Sequence, residues 1–494
     1  MTTAEETKET GTVVWTGEWV AQRLGVSLSG GAELPRLLGL ALRRNPKRAH
    51  LLVSNVLGKH VPQRPDTVHG AGLGLGRQVR ELLGDTEAAR AVVLGYAETA
   101  TGLGHSVADG LALAPYLHST RRPVAGVEQA GGFEEEHSHA TSHLLLPEDP
   151  ALLAGDGPLV LVDDEFSTGR TVLNTIKALH SRFPRERYVV VALVDMRSEA
   201  DRGHLRKFAA DLGARVDLIA LATGGVHLPP DALERGQALV AAHQDTAPEP
   251  APTPVSRASG AAAADAWEGG SASGGSGSSR RTGGTTPDAP VAPSGPVQAV
   301  RIDLGWPEGV PDGGRHGFTA AHRSRLETAL PGMAARIADG LTGARRVLVL
   351  GNEELMYAPL RLAGALDART SAEVYFSTTT RSPVLAVDDP GYAIRTRLAF
   401  PAHDRPTDGP GERYAYNVAA GADPQRRFDA VVAVTDSHGD TPELHSADGL
   451  LSRLAAHTDR LLLAVIPSYT PADPLPQTPE SAPKPTLHAT RRQV

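Results

Sequence analysis

The sequence predicts an α/β protein made of two folded blocks, each with a parallel sheet and flanking helices. Two observations carry this. Short continuous apolar runs recur in both halves with helical patterns between several of them, as expected for strands buried on both faces and joined by helices. Between the halves, residues 246–298 are dominated by Pro, Ala, Gly, Ser and Thr, a composition that cannot bury enough apolar surface to offset the entropy of ordering the chain. The expected organisation is therefore a first domain over 1–245, a disordered linker over 246–298, a second α/β domain over 299–470, and a Pro-rich disordered tail over 471–494. At 494 residues the chain is long enough for each block to bury its own core.

In the first block the runs are Leu51 to Val53, Ala91 to Leu94, Leu159 to Val162, Val189 to Val194 and Leu218 to Leu221. In the second they are Val347 to Leu350, Val374 to Phe376, Ala430 to Val434 and Leu461 to Ile466. No convincing repeat relates the two blocks.

Composition excludes several classes of function. The formal net charge is -8 with acids and bases interspersed, which argues against a nucleic-acid protein held by bulk electrostatics. The chain has no cysteine, so disulfides, thiolate catalysis and cysteine-zinc sites are absent, and a reducing cytoplasm is the expected location. The polar, acidic start from Met1 to Thr10 does not read as a signal peptide. No run approaches the roughly 18 apolar residues of a membrane helix.

The segment from Leu159 to Thr171 carries the chemistry. A buried strand ends in Asp163 and Asp164, a polar turn follows with Ser167, Thr168, Gly169, Arg170 and Thr171, and a helix begins whose apolar face includes Val172, Ile176 and Leu179. Ligands of parallel sheets bind beyond the carboxyl ends of the strands. A helix starting there directs free N–H groups and the positive end of its dipole outward, which makes a phosphate cradle. Gly169 permits positive φ or close approach, and the hydroxyls of Ser167, Thr168 and Thr171 add donors. Two carboxylates one step earlier can accept hydrogen bonds from adjacent ribose hydroxyls, so the pair suits a ribose 5-phosphate.

This pattern resembles the phosphoribosyl pyrophosphate (PRPP) signature of type I phosphoribosyltransferases. The resemblance implies an N-terminal phosphoribosyltransferase-type parallel sheet, PRPP as substrate with pyrophosphate released, Mg²⁺ as cofactor at Asp163 and Asp164, a small-molecule acceptor, no direct nucleic acid or membrane partner, and a homodimer as the common assembly. Gly95 to Gly104, with Thr99, Thr101 and Gly102, is similar to the family's pyrophosphate loop. Tyr116 to Arg122 is similar to the strand whose basic end contacts pyrophosphate, although Arg121 and Arg122 equally suit a solvated pair. The stretch Gly126 to His143, with Glu136, His137, His139 and His143, corresponds to the mobile lid that excludes water from an oxocarbenium-like sugar. Its histidines can serve as acid–base groups, pyrophosphate contacts or metal ligands, or be incidental to a polar loop.

Asn45 to His50, Ser54 to His60, Ala97 to Gly104 and Thr380-Arg381-Ser382-Pro383 occur together. That combination narrows the resemblance to proteins of tellurium-resistance gene clusters, in which a divergent phosphoribosyltransferase precedes a domain called TRSP after the tetrapeptide. The second block, Rossmann-like in its alternation, places three polar turns after apolar runs: Asn352 to Glu354, Ser377 to Ser382, and Asp436 to His438. These turns can converge on one crevice. A sensor of PRPP or nucleotide and a nucleobase salvage enzyme are the alternative functions.

Overall fold

Valine- and leucine-rich runs bounded by polar turns form the central strands here because both faces of those strands are covered, while the Leu218 to Leu221 run is only half-buried. A computed structural model of the chain describes residues 14–45, 48–124, 127, 129–134, 142–244, 297–404 and 411–471. In the N-terminal half a six-stranded sheet has the order Ser27–Gly30, Arg215–His227, Arg187–Asp195, Leu159–Phe166, Val92–Gly95, Tyr116–His118. Ser27–Gly30 joins antiparallel at one edge, and the other five strands are parallel. Val93, Val160, Val162, Val189 and Val191 point into one apolar cluster, while Val92, Leu94, Leu159, Leu161 and Val190 point into another. This is the alternation of a pleated strand buried on both sides.

Register aligns the strand ends. Gly95 pairs with Val162 on one side and His118 on the other, and Val162 pairs with Val191. The turns after Gly95, His118 and Phe166 therefore leave the sheet at one edge.

In the C-terminal half five parallel strands have the order Ala299–Ile302, Arg460–Ile466, Ala430–Asp436, Arg346–Gly351, Glu373–Thr378. The chain passes from Glu373–Thr378 back across Arg346–Gly351 to Ala430–Asp436, so the winding direction reverses between those two central strands. Such a reversal opens a crevice at the carboxyl ends of the strands.

The two halves share one core. Val347, Val349, Phe376 and Val432 lie in the same cluster as Val93, Val160 and Val191. Between the sheets this cluster contains the helices Pro65–Ala88, Thr101–Gly110, Ala320–Asp339 and Tyr357–Asp367.

The apolar run Leu51 to Val53 does not join the parallel sheet. It lies in His50–Ser54, which pairs antiparallel with Leu38–Leu42. Burial alternates along it, the mark of a strand covered on one face. This hairpin packs on Val384, Tyr392 and Tyr416 of the C-terminal half. Residues 245–296 and 472–494, which hold nearly all of the expected linker and tail, lie outside the described residues. Among the described residues no helix is long and apolar enough to cross a membrane.

Candidate functional site

The carboxyl ends of both sheets face each other across a cavity of about 430 Å³. One wall is the turn after Leu159–Phe166, contributing Asp163, Asp164, Glu165, Ser167 and Thr171. Phe166 is buried and anchors this turn. Gly169 has φ 75°, and a Cβ there would lie 2.6 Å from the Phe166 ring, so the position requires glycine. Gly169 is the N-cap of the helix Arg170–Arg182, and no side chain caps it. Thr168 and Arg170 are exposed and, with Gly169, shape the turn without lining the cavity.

A second wall is Tyr96 to Thr99. The Ala97–Glu98 peptide is cis. The Ala97 N–H donates to Ser119 Oγ at 3.0 Å, and Ser119 Oγ lies 2.8 Å from His143 Nδ1. His143, read as a lid residue, is therefore a buried support of this loop. Lys59 Nζ donates to Thr99 Oγ1 at 3.0 Å and brings a cation to the loop. Thr101 and Gly102 do not line the cavity. They open the helix Thr101–Gly110 between the sheets, where both are buried and a Cβ on Gly102 would meet Met356 at 2.9 Å. The expectation that they hold pyrophosphate gives way to a packing role.

Arg121 and Arg122 part company. Arg121 lines the cavity, and its backbone N–H donates to Glu354 Oε1 at 2.9 Å. Arg122 does not line it. Its guanidinium donates to Asp436 at 2.5 Å and lies 3.6 Å from Asp404, both in the C-terminal half. There it lines a neighbouring cavity of about 410 Å³, which also takes Arg121 and Arg381 as wall residues. Glu136, His137 and His139 lie outside the described residues; the flanking strands Gly131–Glu134 and Ser142–Leu145 form an antiparallel hairpin.

The C-terminal half supplies the third wall through Thr380, Arg381 and Ser382. Arg381 Nε sits 2.7 Å from Glu98 Oε1 and 2.7 Å from Glu353 Oε2. Thr380 Oγ1 donates to Glu98 Oε2 at 3.3 Å, and Arg413 pairs with Glu353 at 2.5 Å. Glu354 bonds Thr120 Oγ1 at 2.7 Å. Burial disfavours the Glu354 charge, yet Arg315 and His118 nearby bring its carboxyl down to about 2. Glu353 and Glu354, Thr380 and Arg381, and Asp436, one or two residues from each of the three polar turns of the second block, thus meet the first domain or its partners, while Ser437 and His438 are exposed.

The hairpin Leu38–Leu42/His50–Ser54 and the segment after it form the roof, with Arg43, Arg48, Ser54, Leu57 and His60. Burial, reinforced by Lys59 and Arg43, holds His60 well below the usual histidine range, so it is neutral. Burial and the adjacent Asp164 push Glu165 up to about 7, although Arg48 and Arg43 oppose this. Glu98 and Glu165 have no role assigned from sequence, although both lie inside the segments singled out there, and Arg43, which carries no motif, was passed over.

Among the described residues no cluster of three or more His, Asp or Glu is arranged to hold a metal ion. Mg²⁺ needs only one or two carboxylates when substrate oxygens and water complete its shell, and Asp163 and Asp164 on the cavity wall fit that requirement.

Residues 37–225 match the phosphoribosyl transferase family model, and residues 312–454 match the TRSP domain, described as C-terminal to it. The chain is a phosphoribosyl transferase domain followed by a TRSP domain. Phosphoribosyltransferases are glycosyltransferase-type enzymes, and the N-terminal domain is of that class. No curated protein matches the chain. Solved structures similar to the phosphoribosyl transferase domain include adenine phosphoribosyltransferase from Trypanosoma brucei, in complex with AMP, pyrophosphate and ribose-5-phosphate (13% identity, TM-score 0.27, covering 37% of this chain and 76% of that one). The enzyme from Giardia lamblia complexed with 9-deazaadenine is 17% identical, with a TM-score of 0.28 over 38% of this chain and 96% of that one. Orotate phosphoribosyltransferase from Aeropyrum pernix is 21% identical, with a TM-score of 0.24 over 38% of this chain and 88% of that one. The TRSP tetrapeptide, Thr380 to Pro383, contributes its first three residues to the wall of the phosphoribosyl transferase cavity.

Proposed function

We propose that the protein transfers ribose 5-phosphate from PRPP to a small-molecule acceptor in the cleft between its two domains, taken as 1–245 and 299–470. The observation that carries this reading is that Asp163, Asp164, Ser167 and Thr171 share one cavity with Thr99, Lys59 and Arg121. A diol acceptor and a phosphate cradle stand across from a cationic loop suited to the leaving group. The 5-phosphate rests on the turn from Ser167 to Thr171, and the ribose hydroxyls donate to Asp163 and Asp164. Thr99, Lys59 and Arg121 take the charge that builds on pyrophosphate as the C1–O bond breaks and the acceptor bonds C1 from the opposite face. When bound, Mg²⁺ at Asp163 and Asp164 neutralises substrate oxygens and so favours departure of pyrophosphate. Positioning and charge stabilisation supply most of the rate.

Arg381 gives the TRSP domain a part in this reaction. Glu98 lies within the loop assigned to pyrophosphate, and a bare carboxylate there would repel the leaving group. Arg381 neutralises it from the other domain. The product would be a nucleotide-like metabolite, consistent with a role in tellurium resistance in the cytoplasm. The test is calorimetry of PRPP with Mg²⁺ on the full chain. Asp163→Asn with Asp164→Asn abolishes binding while the unfolding midpoint is retained; binding within twofold of the parent rejects the assignment.

A further inference from the structure

The turn that receives the 5-phosphate stands on one side chain. Phe166 is 2% exposed, and a Cβ on Gly169 would lie 2.6 Å from its Cζ and 3.0 Å from its Cε2, so the ring edge sits directly against the turn. The guanidinium of Arg197 lies over the same ring, its carbon 4.7 Å from the centroid. We propose that Arg197, held by Asp195, is a positioning residue for PRPP: it clamps Phe166 and through that ring sets the phosphate turn. This rests on the phosphoribosyl-transfer reading and adds to it two residues from outside the cavity.

Strand pairing builds the clamp. Phe166 and Asp195 are register partners on neighbouring strands, and the Met196 N–H donates to the Phe166 carbonyl at 2.9 Å. Arg197, one residue further on, folds back over the ring. Its Nε and Nη2 donate to the two carboxylate oxygens of Asp195 at 2.8 and 3.0 Å, and its backbone N–H donates to Oδ1 at 3.2 Å. A fork seated on a carboxylate fixes the plane of the guanidinium as well as its place. A flat plate held in this way restrains both sliding and turning of the ring beneath it.

Packing alone does not call for an ion pair at this place. Arg197 is 8% exposed and Asp195 1%, and apolar side chains of similar volume often serve stability as well as a buried pair or better. What the pair adds is a fixed orientation for the ring against which Gly169 packs. The turn needs it, because a misplacement of about 1 Å is enough to lose much of the benefit of holding a reactant. Neither Arg197 nor Asp195 lines the cavity, so both act on substrate through Phe166.

The full chain with Mg²⁺ is titrated calorimetrically with ribose 5-phosphate, which needs the turn, and with inorganic pyrophosphate, which the opposite wall receives. Arg197→Gln weakens ribose 5-phosphate and PRPP by about tenfold and leaves pyrophosphate within about twofold of the parent. Arg197→Lys, which keeps the ion pair but not the plate, falls between parent and Arg197→Gln, and it carries the test if Arg197→Gln does not fold. Phe166→Leu removes the ring, and on that background Arg197→Gln costs less than about twofold more. Parental affinity for ribose 5-phosphate in either Arg197 variant, pyrophosphate weakened as much as ribose 5-phosphate, or full additivity with Phe166→Leu overturns the proposal. Failure of ribose 5-phosphate and PRPP to bind the parent chain would instead bring down the phosphoribosyl-transfer reading, a result seen before any variant is made.

Discussion

Replacing Arg381 by methionine tests the link between the two domains most directly. The side chain is 17% exposed and serves two carboxylates, Glu98 at 7% and Glu353 at 5% exposure. Glu353 keeps Arg413 after the substitution, so Glu98 is the charge left without its cation. Removing one partner of a buried pair costs about 3–5 kcal/mol. Partial exposure of Arg381 and the remaining Thr380 hydroxyl place this case near the lower end, at about 3 kcal/mol. A second effect falls on substrate. At an effective dielectric near 20 and a separation of about 6 Å, an uncompensated carboxylate repels one phosphate charge by about 3 kcal/mol, roughly a hundredfold in affinity. Urea denaturation reads the first effect and calorimetric titration with PRPP the second. Adding Glu98→Gln to Arg381→Met removes the stranded charge and returns PRPP affinity to within about threefold of the parent, with a coupling energy of about 2 kcal/mol between the sites. Native stability together with unchanged PRPP affinity in Arg381→Met would refute the reasoning.

Gly169→Ala places a methyl group 2.6 Å from the Phe166 ring in a backbone with φ 75°. It destabilises the protein by about 1–2 kcal/mol and weakens PRPP binding at least tenfold through displacement of the turn, both measurable on the same sample. Glu165 makes stability depend on pH. Its folded pKa of about 7 lies above the ordinary 4.5, so ionising it is harder in the folded chain, and its contribution falls as pH rises from about 4.5 to 7. The full loss is roughly 3 kcal/mol at about 1.4 per unit. Glu165→Gln is therefore more stable than the parent at pH 8 and not at pH 4.5, as denaturation midpoints at the two values report.

Much of the fold was legible because it rests on local chemistry. Valine and leucine runs too continuous for a half-exposed strand announced buried parallel sheets. The acidic pair at Asp163 and Asp164 with Gly169 announced a strand, a turn and a helix, and the structure has that order. The same signal misled at Leu51 to Val53, since three apolar residues look alike in a hairpin and in a central strand. Thr101, Gly102 and Arg122 were assigned to ligand because a Gly-rich turn and a basic pair do not reveal which way they face. Contacts with Met356 and Asp436, more than 250 residues later in the chain, decide it. The bond from Thr380 to Glu98 spans 282 residues, a separation across which no spacing rule operates. That Ser377 to Ser382 is a polar turn at a strand end was legible locally; the contribution of Thr380 to Ser382 to the first domain's cavity was not.

The stacking of His105 shows how far the fusion has gone. Its ring lies 4.5 Å from that of Tyr116 and 3.4 Å from that of Tyr357, one neighbour from each domain, and it is wholly buried. An aromatic sandwich of this kind belongs to the interior of a single folding unit. Severing the chain between the domains would not yield two independent enzymes. Each fragment would present a wet, unmated aromatic face, and they would recover solubility and catalysis only by finding one another again.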